Sequence, residues 1–507
     1  MNKFEALKAA KDGLDSWPDL VRYASEGTTI AEIPEDDLQR MKWYGVFYRP
    51  QKPGTFMMRL RVHGGRMTSA QLRTVADLAA EFGGGSADLT TRQNLQLRDI
   101  ALADVPEIIR RVEACGLGTL QTGLDNVRNY MGCPLAGIDG QELMDTTPLL
   151  GAVASAHLGK KNFSNLPRKF NLALAGCRED CGHAETQDLG FVPATRRVDG
   201  RLVAGFNALV GGALGGSSPR LATPLDVFVQ PHEVVCLFTA LLAVYRDHGP
   251  REVRTKSRLK WLIAEWGEER LRDEVERYAG YTFERAGRDE RTSTGGDHLG
   301  VRPQRQVGLS YAGLHVPVGR VTAAQLSGVA ALAEAYGAGE VRLTTGQNII
   351  IPHVADERVA ALLREPLLQE LRHDPAPVWR GLIACTGNDY CHFSLIDTKA
   401  RAIDLATELE RRGVTVEPGT RIHLSGCVHA CGKHHVADIG LQGANVRLGD
   451  TVVEAADIFV GGKLGEGARL AVKTGERVVA EDLPDVFERI LGERSGSTSR
   501  ELVGAAL

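Results

Sequence analysis

The feature that most constrains this chain of 507 residues is that it contains one pattern twice. Gly65-Arg-Met-Thr-Ser-Ala-Gln-Leu returns as Gly319-Arg-Val-Thr-Ala-Ala-Gln-Leu, 254 positions later, and at the same offset Leu89-Thr-Thr-Arg-Gln-Asn-Leu meets Leu343-Thr-Thr-Gly-Gln-Asn-Ile. Between the two segments each copy carries an amphipathic stretch, Ser69 to Phe82 and Ala323 to Tyr336, stopped by glycine, which predicts a helix. The alternation from Ala87 to Arg98 predicts a strand. Helices over Val105 to Ala114 and Glu357 to Leu363 follow. A β-α-β-α unit present twice predicts a mixed α+β fold with a pseudo-two-fold axis and one site between the copies.

Length and composition set outer limits. At roughly 150 residues per domain the chain is too long for a single core. With 43% hydrophobic and 24% charged residues and a net charge of −4, nothing suggests nucleic acid or a membrane surface as partner. Glycine interrupts apolar runs such as Phe206 to Gly216 well before membrane-spanning length. The N-terminus mixes both charge signs and has no apolar signal core, so the protein is expected in the cytoplasm. Nine cysteines, an odd number, fit a reducing compartment with thiols free for metal.

Four of those cysteines form two close pairs in the second half: Cys385 and Cys391, then Cys427 and Cys431. Zinc sites commonly use pairs two to four residues apart. The five-residue gap between Cys385 and Cys391 suits an iron–sulfur cluster better. The first half repeats the motif in part. Ala173-Leu-Ala-Gly-Cys-Arg-Glu-Asp-Cys matches His423-Leu-Ser-Gly-Cys-Val-His-Ala-Cys, and Cys133 falls opposite Cys391, which leaves Val127 opposite Cys385. On this reading Cys133, Cys177 and Cys181 are relics of a lost ligand set, the alternative being a second cluster or another metal completed by His183.

The first half instead offers cations. Arg92 stands where the second copy has Gly346, Arg128 follows Val127, and Arg168, Lys169 and Asn171 precede Cys177. Strand alternation puts Lys169 and Asn171 on one face. Converging Arg and Lys bind an anion and stabilise charge on it, and Asn adds hydrogen bonds. The competing reading is a set of solvated surface charges.

At these residues the chain resembles the sirohaem-dependent nitrite and sulfite reductases, and most closely the ferredoxin–nitrite reductases. Cys-x5-Cys followed by Cys-x3-Cys is that family's signature. Further matching segments run from Arg40-Met-Lys-Trp-Tyr-Gly through Thr90-Thr-Arg-Gln-Asn and Asn165-Leu-Pro-Arg-Lys-Phe-Asn to Asp457-Ile-Phe-Val-Gly-Gly. The resemblance implies ferredoxin-like half-domains and two larger α/β domains around a central cofactor site. Its expected divisions are 1–122, 123–297, 298–378 and 379–507. It implies a 4Fe–4S cluster on Cys385, Cys391, Cys427 and Cys431, with Cys431 shared with the sirohaem iron. Arg59, Arg61, Gln93, Asn94, Gln347 and Asn348 are expected to meet the carboxylates of sirohaem. Arg92, Arg128, Lys169 and Asn171 are expected to hold the substrate anion.

Position 171 separates substrates within the family. Sulfite reductases place a second lysine there and nitrite reductases an asparagine, so Asn171 points to nitrite and its reduction to ammonium. A sulfite reductase is the nearest alternative, and an iron–sulfur redox sensor is the non-enzymatic one. No Gly-x-Gly-x-x-Gly follows a strand, so electrons are expected from another protein: reduced ferredoxin in the family, or a flavodoxin-like donor. The basic run Arg251, Arg254, Lys256, Arg258 and Lys260 could dock that donor, contact sirohaem, or face solvent. His429, His434 and His435 either tune the cluster or face solvent. The Ser-rich tail from Glu493 is expected to be flexible, and the family precedent is a monomer.

Overall fold

The repeat is plain in the computed structural model, which describes residues 2–292 and 296–496. Four sheets account for the fold, two small and two large. In the first small sheet Val46–Tyr48, Phe56–Arg59, Leu95–Ile100 and Ser86–Leu89 are joined at the edge by Arg320–Thr322, which comes from the second copy. The second small sheet returns the exchange. Gly300–Pro303, Leu309–Leu314, Ile349–Ala355 and Glu340–Leu343 accept Arg66–Thr68 from the first copy. Each swapped strand runs straight into a helix, Ser69–Glu81 or Ala323–Tyr336, and both helices open with a capping box, Thr68 with Gln71 and Thr322 with Gln325. The two helices pack on each other, and Leu72, Val75, Leu326 and Val329 are fully buried in one core shared by both copies.

The helix expected over Ser69 to Phe82 ends at Glu81, Val105–Ala114 falls as read, and the helix expected from Glu357 is Asp356–Leu362. One expectation fails. The alternating stretch from Ala87 to Arg98 is two strands, Ser86–Leu89 and Leu95–Ile100, with a turn between them. Gln93 adopts a left-handed φ of 54° there, and the Thr90 amide donates to the Asn94 carbonyl. Period-2 alternation continues across a tight turn, so the break is invisible in the pattern. The turn lifts Arg92 to a hairpin tip.

The two large sheets are copies. In one, Val127–Gly132, Phe170–Leu174 and Leu189–Val198 run parallel, then Arg201–Val210 and Thr223–Val229 turn back antiparallel. In the other, Leu382–Ala384, Ile422–Ser425 and Ile439–Leu448 run parallel before Thr451–Val460 and Val472–Val479. Helices cover one face of each: Val234–His248 and Leu259–Ala279 on the first, Thr398–Arg411 and Leu483–Gly496 on the second. The tail beyond residue 496 lies outside the described residues.

Strand register corrects the internal alignment of the cysteines. Gly132 pairs with Leu174 and Ala384 pairs with Leu424, so Cys133 occupies the place of Cys385 and not that of Cys391. Two glutamines confirm it. The Gly132 amide donates to Gln93 Oε1 at 2.9 Å, and the Ala384 amide donates to Gln347 Oε1 at 3.2 Å. Val127 is the first residue of its strand and never stood at a ligand position. The misreading came from matching Ile-Asp pairs across loops of different conformation.

Candidate active site

The cysteine loops leave the carboxyl ends of parallel strands, where open α/β sheets present their ligands. Cys385 directly follows Leu382–Ala384, and its sulfur accepts from the Gly426 amide at 3.2 Å. Thr398 donates to the Cys385 carbonyl at 2.7 Å, which fixes the loop. Cys427 follows Ile422–Ser425, and its sulfur lies 3.3 Å from His429 Nδ1. The Cys427 thiol is pushed up to about 12, first by burial and then by the charges of Cys431, Cys385 and Cys391, so four sulfurs act on one volume. A bound cation reverses that logic and favours thiolates. Cys431 is the exposed member of the set. Thr91, beside Arg92 on the hairpin, donates to the Cys431 carbonyl at 3.1 Å.

A small pocket, continuous with solvent, opens against Cys431. Arg92, Lys169, Asn171, Arg258 and Lys433 line it. Lys169 and Asn171 flank Phe170, whose ring is in the core, so alternation does put both on the pocket face. Arg128 stands behind this lining, donating to the Thr122 and Leu124 carbonyls at 3.1 and 2.7 Å, while its charge acts on Lys169. Arg59 bonds the Thr122 carbonyl at 2.9 Å and rests on the Phe47 ring.

Charge balance is the most informative property of this region. Among the described residues, Arg49, Arg59, Arg92, Arg128, Lys169 and Lys433 make no ion pair with a carboxylate. Burial holds Lys169 well below the ordinary lysine range, and Arg92, Arg258 and Arg128 depress it further. Burial likewise brings Lys433 down to about 7 and Arg59 to about 9. Asn171 is 4% exposed and its Oδ1 has no hydrogen-bond partner. Like charges concentrated without counter-ions cost folding energy unless an anion joins them. This pocket is therefore built for negatively charged guests.

Other sequence expectations land elsewhere. Arg61 is buried and spends its guanidinium on the carbonyls of Leu120, Gln121, Val127 and Arg128. Gln93 Nε2 donates to the Leu343 carbonyl at 3.1 Å, and Gln347 Nε2 to the Leu89 carbonyl at 3.0 Å, so both tie one copy to the other. Asn94 Oδ1 accepts from Thr90, and Asn348 Oδ1 accepts from the Val316 amide at 3.0 Å. These residues hold the framework together and do not line the pocket. His429 is exposed against Phe393, whereas His434 and His435 are buried beside Phe459 and cannot face solvent.

The basic run is not one docking face. Arg251 pairs with Glu5, Arg254 with Asp125, and Arg258 with Asp188 at 2.7 Å. Only Arg258 of the five reaches the pocket lining, a role its helix-start position does not announce. Two positioning residues also escaped the sequence reading. Asn129 Nδ2 donates to the Arg92 carbonyl at 2.7 Å and steadies the hairpin tip. Asp188 accepts from the Asn171 amide at 2.8 Å while holding Arg258. The glycine-rich run explains itself too: a Cβ on Gly215 would lie 2.7 Å from the His429 carbonyl oxygen, against the cysteine loop.

A duplicated fold with paired cysteine loops over a cationic pocket defines a class of redox enzyme, and comparison with known proteins gives its family. The profile of the nitrite and sulphite reductase 4Fe-4S domain matches residues 123–283 and 376–492. The nitrite/sulfite reductase ferredoxin-like half-domain matches 49–115 and 302–368. The chain belongs to the nitrite and sulfite reductase family. It is 47% identical to a ferredoxin–nitrite reductase of Synechococcus elongatus over 99% of this chain and 98% of that one. It is 45% identical to the chloroplastic ferredoxin–nitrite reductase of Zea mays, covering 95% and 86%. Among solved structures, the NirA protein of Mycobacterium tuberculosis superposes with a TM-score of 0.89 at 31% identity, covering 96% of this chain and 92% of that one. No helix of the described residues is long and apolar enough to cross a membrane.

Proposed function

We propose that this oxidoreductase reduces nitrite to ammonium in six one-electron steps with reduced ferredoxin as donor. Its centre would be a 4Fe–4S cluster held by Cys385, Cys391, Cys427 and Cys431 and coupled to sirohaem. The observation that carries the reading is the set of cations without carboxylate partners converging beside Cys431. Sirohaem is a polycarboxylate, and nitrite is an anion; together they supply the charge this region lacks. The unpartnered Asn171 Oδ1 supports the same fit. The division of the chain into 1–122, 123–297, 298–378 and 379–507 is part of the proposal, as is its action as a cytoplasmic monomer.

Bound sirohaem would supply an iron that takes up substrate and electrons; this chain supplies binding, orientation and protons. Arg59 and its neighbours hold carboxylates. Arg92 and Lys169 fix the substrate anion and oppose the charge that grows on its oxygens as N–O bonds break. Lys169, held well below the ordinary lysine range first by burial and then by the neighbouring arginine charges, gives up its Nζ proton more readily than an exposed lysine. Arg128 keeps Lys169 low by its charge. The Asn171 amide adds a neutral contact where a further cation would over-bind a singly charged anion.

Anaerobic turnover with reduced methyl viologen, nitrite and sulfite compared on the same preparation, tests this. Higher kcat/KM for nitrite, with ammonium as product, is the expected result; preference for sulfite overturns the substrate assignment.

A further inference from the structure

By sequence the three cysteines of the first half answer to part of the second half's cluster motif. The structure brings them closer together than the four of the second half. The sulfurs of Cys133, Cys177 and Cys181 lie within 4.8 Å of one another, all three residues are buried, and Cys177 and Cys181 are 3.5 Å apart. Among the described residues no other three cysteines gather so tightly. His298 Nε2 stands 3.2 Å from the Cys181 sulfur, with the residue 7% exposed; with Glu179 it makes a second close group that shares only Cys181 with the trio, so a turn of the His298 side chain would complete a four-ligand set.

We propose that Cys133, Cys177, Cys181 and His298 form a second metal site, a structural Zn²⁺ centre of the Cys₃His type.

Geometry separates zinc from iron–sulfur here. Tetrahedral Zn–S bonds of about 2.3 Å put neighbouring sulfurs about 3.8 Å apart. The 3.5 Å between the Cys177 and Cys181 sulfurs is close to that value. A cubane puts each cysteine on a different iron and so holds its sulfurs farther apart, and it has no fourth cysteine to use. In the register established above, the position answering to Cys391 is taken by Asp139.

The surroundings are those of a metal loop. The Leu135 amide donates to the Cys133 sulfur at 3.3 Å. Such N–H···S bonds stabilise thiolates, the form in which cysteine binds metal. His298 holds a left-handed φ of 58°, a strained backbone for histidine that a ligand bond would offset. His183, the fourth ligand considered from sequence, is unavailable because its Nδ1 accepts from Lys433 Nζ at 2.7 Å.

The site also has a structural task. Thr345 donates to the Cys181 carbonyl at 3.0 Å, as Thr91 does to the Cys431 carbonyl at 3.1 Å, so the two metal positions are related by the pseudo-two-fold axis. His298 belongs to the segment that enters the second half-domain. Zinc there would staple the first large sheet to the second copy, while the opposite position carries the redox centre. Binding releases the thiol protons and leaves every residue of the anion pocket untouched.

The test is metal analysis of the full-length enzyme purified without chelator from zinc-replete cells, with Zn K-edge absorption on the same sample. One zinc per chain in a shell of three sulfurs and one nitrogen is expected. In Cys133→Ser/Cys177→Ser and in His298→Ala, zinc should fall away while iron content and the cluster's spectrum hold. Zinc below about a tenth of an equivalent in the unmodified enzyme, or zinc retained by the double variant, overturns the proposal. So does extra iron or copper at this position. A variant that fails to fold leaves the test with the unmodified enzyme's absorption edge, which decides alone. Failure of the nitrite assignment would not alter the zinc count.

Discussion

Asn171 stands in a strand between core residues, its backbone held by Asp188 and its side-chain oxygen facing the pocket unpaired. A lysine there would join Arg92, Lys169 and Arg258 around an anion of single charge. Asn171→Lys is therefore expected to lower kcat/KM for nitrite about tenfold, an energy of about 1.4 kcal/mol, and to raise that for sulfite. Steady-state kinetics on both anions reads it. Lys169 belongs to the chemistry as well as to binding. Lys169→Met should reduce kcat by about 10²-fold or more, the usual range for a lost proton donor, with the cofactor absorption spectrum unchanged. Both residues were legible in the sequence from their place just ahead of Cys177, their alternation along one strand face and the family resemblance. Arg258 was not: it lies in a run of cations, and only its pairing with Asp188 turns it toward the pocket.

At the level of elements, the decisive pieces are loops that meet across the duplication. The Thr90–Asn94 turn carries Arg92, and the segment around Gly215 lies against the cysteine loop, with the Gly216 amide donating to the Val428 carbonyl at 2.8 Å. A side chain at position 215 has no room. Gly215→Ala should cut iron loading by half or more while far-ultraviolet circular dichroism stays native, because the large sheets do not depend on that contact. Iron analysis beside the dichroism spectrum checks it. Helix positions were readable from amphipathic spacing and the glycines that stop each helix. The hairpin was not, since a left-handed Gln93 leaves no trace in hydrophobic alternation. Nor was the strand exchange, because Arg66–Thr68 and Arg320–Thr322 are too short for their partners to be named.

For the whole molecule, burial of neutral histidines sets the response to acid. His157 is fully buried between Tyr130 and the Val153 carbonyl, and burial lowers it to about 3. His315 is lowered to about 4 for the same reason. Each binds fewer protons folded than unfolded between its folded value and the ordinary 6.5. Stability is thus flat above pH 6.5 and is lost as pH falls below it. Moving from pH 7 to pH 5 should cost about 2 kcal/mol through His157 alone. Thermal melts of His157→Gln, which keeps hydrogen-bonding capacity without a titrating ring, should show a smaller drop in Tm over that interval than the unmodified enzyme.

The sequence by itself determined the duplication, the helices of the half-domains, the cysteine pairs of the second half and the cations that replace repeat positions. These are local signals: spacing, capping and identity at matched positions survive without knowledge of contacts. Tertiary structure decided what depends on pairing between distant segments. It moved Cys133 from the place of Cys391 to that of Cys385, turned Arg61, Gln93, Gln347 and Asn348 into framework, and brought Arg258 and Lys433 to the pocket. It also gathered Cys133, Cys177 and Cys181 at one point and set His298, 117 positions on, beside Cys181. Register and side-chain direction are set by which strand lies alongside, and no pattern within a strand records its neighbour.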